Sequence, residues 1–393
     1  MIDSILQRHD PRMFLVPERT LVGDGSSMAS GRALDDLGCS PGPVAIVADA
    51  SVLRLGSADA ILESIRAHGY GAEVLAGVTG EPTVDDAREA VEAVRRVDPV
   101  AVVGIGGGSA LDLAKFVALV APRDEPVDAY FGVRDDVARR VKLVAIPTTA
   151  GTGSEATRIA MLSANKRKTI VNSAALVPDL VLLDPKLVMS LPGPVTASTG
   201  LDALCHAIEA LLSTNRSPLS IADSRQGLRM VAQSLVRSFD RPEDIEARRG
   251  VLYGAHFAGR GLNAGVVLGH SVGYTIANRV TVAHGISCAI ALPYCIRYAR
   301  PVAEDTLTEI ARDVTGHPDV DGLIAWIHDV NRTLGVPRDF VAVGISRESV
   351  ADMAIECSEK YPRPNNPVPF EPGRLAAMYE AMAEGDLASA PFN

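Results

Sequence analysis

Residues 98–121 read DPVAVVGIGGGSALDLAKFVALVA: a run of β-branched and small apolar residues, then Gly106, Gly107 and Gly108, then a helical pattern opening near Ser109. A buried strand that turns on glycine into a helix is one repeat of a parallel α/β sheet, where each strand needs a crossover helix to reach the next. Working outward, PVAIVAD at 43–49 and VKLVAIP at 141–147 read as further strands, and LVPDLVLLDP at 176–185 as the strand that closes this half. Beyond Leu191-Pro192-Gly193-Pro194 the β-branched clusters thin out. VTASTGLDALCHAIEALLS and SRQGLRMVAQSLVRSF keep helical spacing instead. The expectation is an α/β domain over residues 1–190 with a Rossmann-like parallel sheet, and an all-helical domain over 191–393. A ligand site is expected in the cleft where two such domains meet.

A chain of 393 residues exceeds what one hydrophobic core usually serves, which fits two domains. The apolar fraction of 47% with few aromatics suits close helix–sheet packing, and a net charge of −10 argues against nucleic acid as a partner. The short basic runs Arg139-Arg140-Val141-Lys142 and Asn165-Lys166-Arg167-Lys168 read as solvated turns. Five cysteines form no C-x-x-C pair, and their odd number cannot close fully into disulfides, as expected in a reducing cytoplasm. The opening MIDSILQRHDPRMF has no apolar core for a signal peptide, and no apolar run approaches the length of a membrane span. A soluble intracellular protein with no membrane partner is therefore expected.

Two loops after strands carry chemistry. Glycines 106–108 let the backbone approach a diphosphate while the helix N-terminus turns its N–H groups and positive dipole end toward it, although such a turn also serves helix–strand packing. The pattern is neither G-x-G-x-x-G nor a P-loop. The second loop, Pro147 to Glu155, is dense in hydroxyls suited to ribose, phosphate and amide contacts, or to a plain turn and helix cap. Asp49 ends the strand PVAIVAD; its carboxylate suits a ribose 2′-OH and repels a 2′-phosphate, favouring NAD over NADP, with a helix N-cap as the competing role.

The helical half holds a different kind of chemistry. Asp202 and His206 stand at i, i+4 on a predicted helix and so share one face. A carboxylate and an imidazole so placed grip a divalent ion such as Fe²⁺ or Zn²⁺, although the pair taken alone also fits a helix-surface hydrogen bond. His270 in LGHSVGY and His284 in VAHGISC lie in apolar segments, each with a glycine close behind, where an unpartnered imidazole would be costly. All four residues together suggest a catalytic metal. His256, in YGAHFAG, has no acidic residue at helical spacing and reads as a packed histidine.

The ordered segments GGGSALDLAK, IPTTAGTGSEAT, LVPDLVLLDP, TGLDALCHAIEA, NAGVVLGH and AHGISCAIALP resemble the iron-containing (group III) alcohol dehydrogenase family from about residue 14 onward. The resemblance implies the dehydroquinate synthase-like fold of that family: an N-terminal α/β dinucleotide-binding domain and an all-α metal-binding domain. Carried over residue by residue, the metal ligands fall on Asp202, His206, His270 and His284. The diphosphate loop falls on Gly106, Gly107, Gly108 and Ser109, with Asp112 in the next helical turn; Thr148, Thr149 and Ser154 match the second nucleotide loop, and Lys168 a lysine that reaches the cofactor ribose. Many relatives carry a histidine four residues after the third ligand, where this chain has Tyr274, whose phenol would take over proton relay. Ala283 stands where relatives usually have Pro.

The implied activity is reversible NAD(H)-dependent interconversion of a small alcohol with its aldehyde or ketone, by a cytoplasmic homodimer. The LGHSVGYTIA segment also resembles dehydroquinate-synthase-like NAD- and metal-dependent lyases, and a hydroxyacid-oxoacid transhydrogenase would use the same scaffold. A metal-stabilised binding protein is a third class, against which stand two nucleotide loops beside a metal set. The segment YPRPNNPVPFEPG is expected to tie down the last helix.

Overall fold

The computed structural model describes residues 11–164 and 167–387; Asn165 and Lys166 of the second basic run, and the first ten residues, lie outside the described residues. Leu15–Ser190 pack as one unit, and residues from Leu191 onward as a second that also takes in residues 11–14. The sequence reading places 11–14 with the α/β half instead. Arg12 Nη1 donates to Asn215 Oδ1 at 2.7 Å, and no strand or helix ties residues 11–17 into the sheet.

The first unit runs β1 (Arg19–Val22), α1 (Ser30–Asp36), β2 (Pro43–Asp49), α2 (Ala50–Arg54), α3 (Asp59–Ala67), β3 (Gly71–Val78), α4 (Val84–Val97), β4 (Ala101–Gly106) and α5 (Gly108–Val120). It continues with β5 (Gly132–Val133), β6 (Lys142–Pro147), β7 (Ile159–Ala164), β8 (Arg167–Asn172) and β9 (Leu180–Leu183). Six strands form a parallel sheet in the order β1-β9-β6-β4-β2-β3. Strand residues alternate between two cores because successive side chains point to opposite faces. Val44 and Ile46 join Leu34, Ile61 and Ile65 of α1 and α3 on one face. Ala45 and Val47 join Val91, Val94, Phe116 and Val117 of α4 and α5 on the other. Each such fully buried Val, Ile or Phe contributes about 1.5–3 kcal/mol.

The strand order positions the loops. After β2 the chain leaves to one side of the sheet and after β4 to the other, so the carboxyl ends of these neighbours flank a topological switch point, where open α/β sheets bind ligands. Asp49 and Gly106 end those two strands. Two features differ from the sequence reading. The closing strand is only Leu180–Leu183, because Leu176 ends a 3₁₀ turn and Asp184 Oδ1 accepts from Lys186 N at 3.0 Å to start the next. The three-stranded sheet β5-β8-β7 was not expected; its alternating half-buried residues in short strands make a weak pattern.

From Leu191 the second unit, among the described residues, is helical: α6 (Gly193–Leu212), α7 (Pro218–Asp240), α8 (Ile245–Gly261), α9 (Leu268–Ala277), α10 (His284–Thr315), α11 (Val320–Thr333), α12 (Val350–Lys360) and α13 (Pro372–Glu384). Helix α6 is its centre, buried almost without interruption from Thr196 to Leu212. A helix apolar all round must be enclosed by others, and α7, α8 and α10 pack against it. No described helix is long and apolar enough to cross a membrane. All five cysteines are free thiols.

Candidate functional site

Asp202 and His206 project from the middle of α6, while His270 enters from α9 and His284 is the first residue of α10. Asp202 Oδ1 lies 3.7 Å from His206 Nε2, 3.6 Å from His270 Nε2 and 3.8 Å from His284 Nε2. The His206 and His270 rings stack, with centroids 4.7 Å apart. These spacings are too long for hydrogen bonds but close to the roughly 3.4 Å that separates donors on a tetrahedral ion with bonds of about 2.0–2.2 Å. Asp202 Oδ1 and His270 Nε2 are buried and accept or donate no hydrogen bond. Polar atoms left so at the centre of a bundle fit a divalent cation that would satisfy them.

Glu209, one residue short of another turn beyond His206, was missed in the sequence. Its Oε1 accepts from His270 Nδ1 at 2.7 Å, and its Oε2 accepts from Val267 N at 2.6 Å and His270 N at 3.4 Å. One buried carboxylate thus caps α9 and presents Nε2 of His270 to the centre by holding the proton on Nδ1. Burial pushes the Glu209 carboxyl up, but the His270 charge and hydrogen bond and the Val267 N–H outweigh it and the net direction is down. Burial likewise raises Asp202, and the three imidazoles reverse this, holding it well below the usual carboxylate range. His270, pushed down by burial, is raised by the Glu209 and Asp202 carboxylates to about 9. The only sequence signal for Glu209 is its place on the same face as Asp202, seven residues on.

Glycines bring the three helices together. A Cβ on Gly285 would stand 1.9 Å from Ser198 O and 3.0 Å from Asp202 Cβ, so α10 touches the α6 backbone beside His284. A Cβ on Gly269 would meet Glu209 Oε1 at 2.5 Å. Tyr274 lies on α9 with its ring stacked on His284 (centroids 5.5 Å apart) and edge-on to His270, and Arg363 covers the ring at 5.8 Å. Cys288 Sγ is 3.8 Å from His284 Nε2. His256 is buried on α8. The YPRPNNPVPFEPG segment does more than hold the last helix: Asn366 Oδ1 accepts from Leu268 N at 3.2 Å, and Asn365 Nδ2 donates to Ser213 Oγ at 3.0 Å, pinning the ends of α6 and α9.

In the α/β unit the two loops adjoin, with their side chains partly committed. Thr148 N donates to Gly106 O at 2.9 Å, and Cβ atoms on Gly107 and Gly108 would meet Thr149 and Thr152 at 3.2 and 2.7 Å. No side chain caps α5, so its N-terminal N–H groups beside Ser109 suit an anion. Asp49 Oδ1 accepts from Ser51 N at 2.8 Å, taking the helix-cap role. Asp112 accepts from Ser154 Oγ through one oxygen and from Met161 N at 3.0 Å through the other. Lys168 pairs with Glu81 at 3.4 Å. Lys115, fully buried, joins the loops: its Nζ donates to Ser154 O and Oγ at 2.8 Å and pairs with Asp112 Oδ1 at 3.1 Å. Replacing Lys115 by Met strands the largely buried Asp112 charge, and a loss of about 3–5 kcal/mol is expected in urea unfolding, with weaker nucleotide binding. A near-neutral unfolding result would contradict this account of the loops.

Comparison with known proteins bears on both units. The profile described as "Iron-containing alcohol dehydrogenase" matches residues 17–185, and "Fe-containing alcohol dehydrogenase family, C-terminal" matches 196–383. The chain is 32% identical over 356 residues to "Long-chain-alcohol dehydrogenase 1" of Geobacillus thermodenitrificans (strain NG80-2), covering 88% of this chain and 90% of that one. It is 29% identical over 366 residues to "NAD-dependent methanol dehydrogenase" of Bacillus methanolicus, covering 90% and 95%. Among solved structures, 1,3-propanediol oxidoreductase superposes with a TM-score of 0.89 at 26% identity, covering 95% of this chain and all of that one. Sulfoacetaldehyde reductase from Bifidobacterium kashiwanohense in complex with NAD⁺ gives 0.87 at 26%, covering 96% and 100%.

Proposed function

The chain belongs to the iron-containing alcohol dehydrogenase family, and on that premise we propose that it is a metal-dependent, NAD(H)-linked alcohol dehydrogenase that interconverts a small alcohol with its aldehyde or ketone. The observation that carries this is the buried meeting of Asp202 Oδ1 with three imidazole Nε2 atoms at 3.6–3.8 Å. Asp202, His206, His270 and His284 would hold Fe²⁺ or Zn²⁺. When bound, the ion would supply positive charge to favour loss of the alcohol proton, and NAD⁺ would be the hydride acceptor. The protein's residues orient and exclude water. Glu209 would lock the His270 tautomer, and α6 and α9 bury Asp202, His206 and His270.

Gly106, Gly107, Gly108 and Ser109 at the α5 N-terminus would seat the diphosphate of NAD, with Thr148 and Thr149 beside it. Asp112 and Ser154 would act by fixing the loop, since they bind each other. The second oxygen of Asp49 would meet the ribose, favouring NAD over NADP, and Lys168 would reach the ribose by leaving Glu81. Tyr274 would hold the proton at its phenol oxygen. Tyr274→Phe is therefore expected to keep metal and NAD binding while lowering kcat by about 10²–10⁴, the usual span of acid–base catalysis; unchanged turnover would assign the ring to packing only. A cytoplasmic homodimer completes the proposal; the five free thiols support the compartment alone.

The deciding assay follows NADH absorbance with a panel of short alcohols and diols, using protein stripped of metal and reloaded with Fe²⁺ or Zn²⁺. NADH formation that appears only on reloading supports the dehydrogenase; tight binding of NAD and metal without net turnover points to hydride exchange between two substrates.

A further inference from the structure

We propose that Cys288 is a sulfur donor to the same ion, in addition to Asp202, His206, His270 and His284. The inference rests on the metal-centre reading above and extends it to a residue outside that ligand set. Cys288 follows His284 by one turn of α10, the same i, i+4 relation that Asp202 and His206 have on α6. Its Sγ lies 3.8 Å from His284 Nε2, the nitrogen that faces Asp202 Oδ1. The donor atoms of Asp202, His270, His284 and Cys288 all fall within 4.8 Å of one another. Donors on opposite sides of a five-coordinate ion with bonds of about 2.0–2.3 Å lie up to roughly 4.5 Å apart, so one cation can touch these four with small shifts. His206, whose Nε2 is 3.7 Å from Asp202 Oδ1 but which falls outside that group of four, would complete the set.

The surroundings keep the sulfur there. Cys288 is completely buried, and α9 presents Gly273 to it: a Cβ on Gly273 would come 2.8 Å from Sγ. A larger residue at 273 would push the sulfur off the centre. As the sulfur–metal bond forms, the Sγ–H proton passes to solvent and no oxidation state changes. Adding a soft donor to carboxylate and imidazole moves the preference of the site toward Zn²⁺ and Co²⁺ and away from Mg²⁺ and Mn²⁺.

Cobalt reports the sulfur directly. Metal-free full-length protein loaded with Co²⁺ is expected to show visible d–d bands from the enclosed ion together with an intense near-ultraviolet sulfur-to-cobalt charge-transfer band. Cys288→Ser is expected to keep the d–d bands, which also show that the site is folded, and to lose the near-ultraviolet band. A wild-type spectrum with d–d bands alone, or a band that survives in C288S, overturns the assignment of Cys288 while leaving the metal centre standing. Absence of any cobalt spectrum in the wild type overturns both. Should C288S take up no cobalt, X-ray absorption of the zinc-loaded wild type decides: a sulfur scatterer at about 2.3 Å supports the proposal, and a shell of nitrogen and oxygen only overturns it.

Discussion

His284→Ala is expected to abolish metal-dependent NADH formation and to leave a folded protein that no longer retains the divalent ion. His284 is the cleanest of the four positions to test, because its side chain is about a third exposed and stands at the start of α10, so truncation leaves little void. His270→Ala also removes the ion, but it adds a second effect. His270 is the hydrogen-bond partner of Glu209, which is 1% exposed, and removing the partner of a buried carboxylate costs about 3–5 kcal/mol by leaving that charge uncompensated. The pair of variants therefore separates ligation from packing: both lose metal by elemental analysis, and only H270A loses much stability in urea. An H284A enzyme that works without metal would remove the ion from the mechanism, and an H270A as stable as wild type would remove Glu209 from its supporting role.

The second large effect is at a residue with no side chain. Gly285→Ala places a methyl group 1.9 Å from Ser198 O, far inside contact distance and against backbone that cannot rotate away. Helix α10 must withdraw from α6, and overpacking of this kind costs about 1–3 kcal/mol or more. His284 is the preceding residue, so the same movement draws its Nε2 off the centre, and metal affinity and turnover are expected to fall with Tm. Gly373→Ala on α13, where nothing lies within 4 Å of the added Cβ, is the control and should change neither. Normal metal content in G285A would mean that the contact can yield without disturbing the ligands.

Local features of this chain could be read directly because their geometry is set within a few residues. The near-continuous apolar runs PVAIVAD and AVVGIG specify strands buried on both faces, and the structure has them at Pro43–Asp49 and Ala101–Gly106. The glycine turn into α5 and the common face of Asp202 and His206 follow equally from backbone geometry. The two alternating strands of the smaller sheet were passed over because short half-buried segments carry little periodic signal.

Everything that joins distant segments had another origin. His270 and His284 are 68 and 82 residues from Asp202, and no local spacing says that their nitrogens converge on one oxygen. That convergence depends on how closely α9 and α10 approach α6 and each other, which Gly269 and Gly285 permit toward α6 and Gly273 between α9 and α10 by the absence of a Cβ. The same packing recruits Glu209 and Cys288, two residues that look like ordinary helix interior in a linear reading. In the α/β unit it commits Asp112 and Ser154 to protein partners, because largely buried polar groups must be satisfied and the nearest donors win. Sequence spacing named the chemical groups; the contacts among helices and loops set which of them face an ion and which face each other.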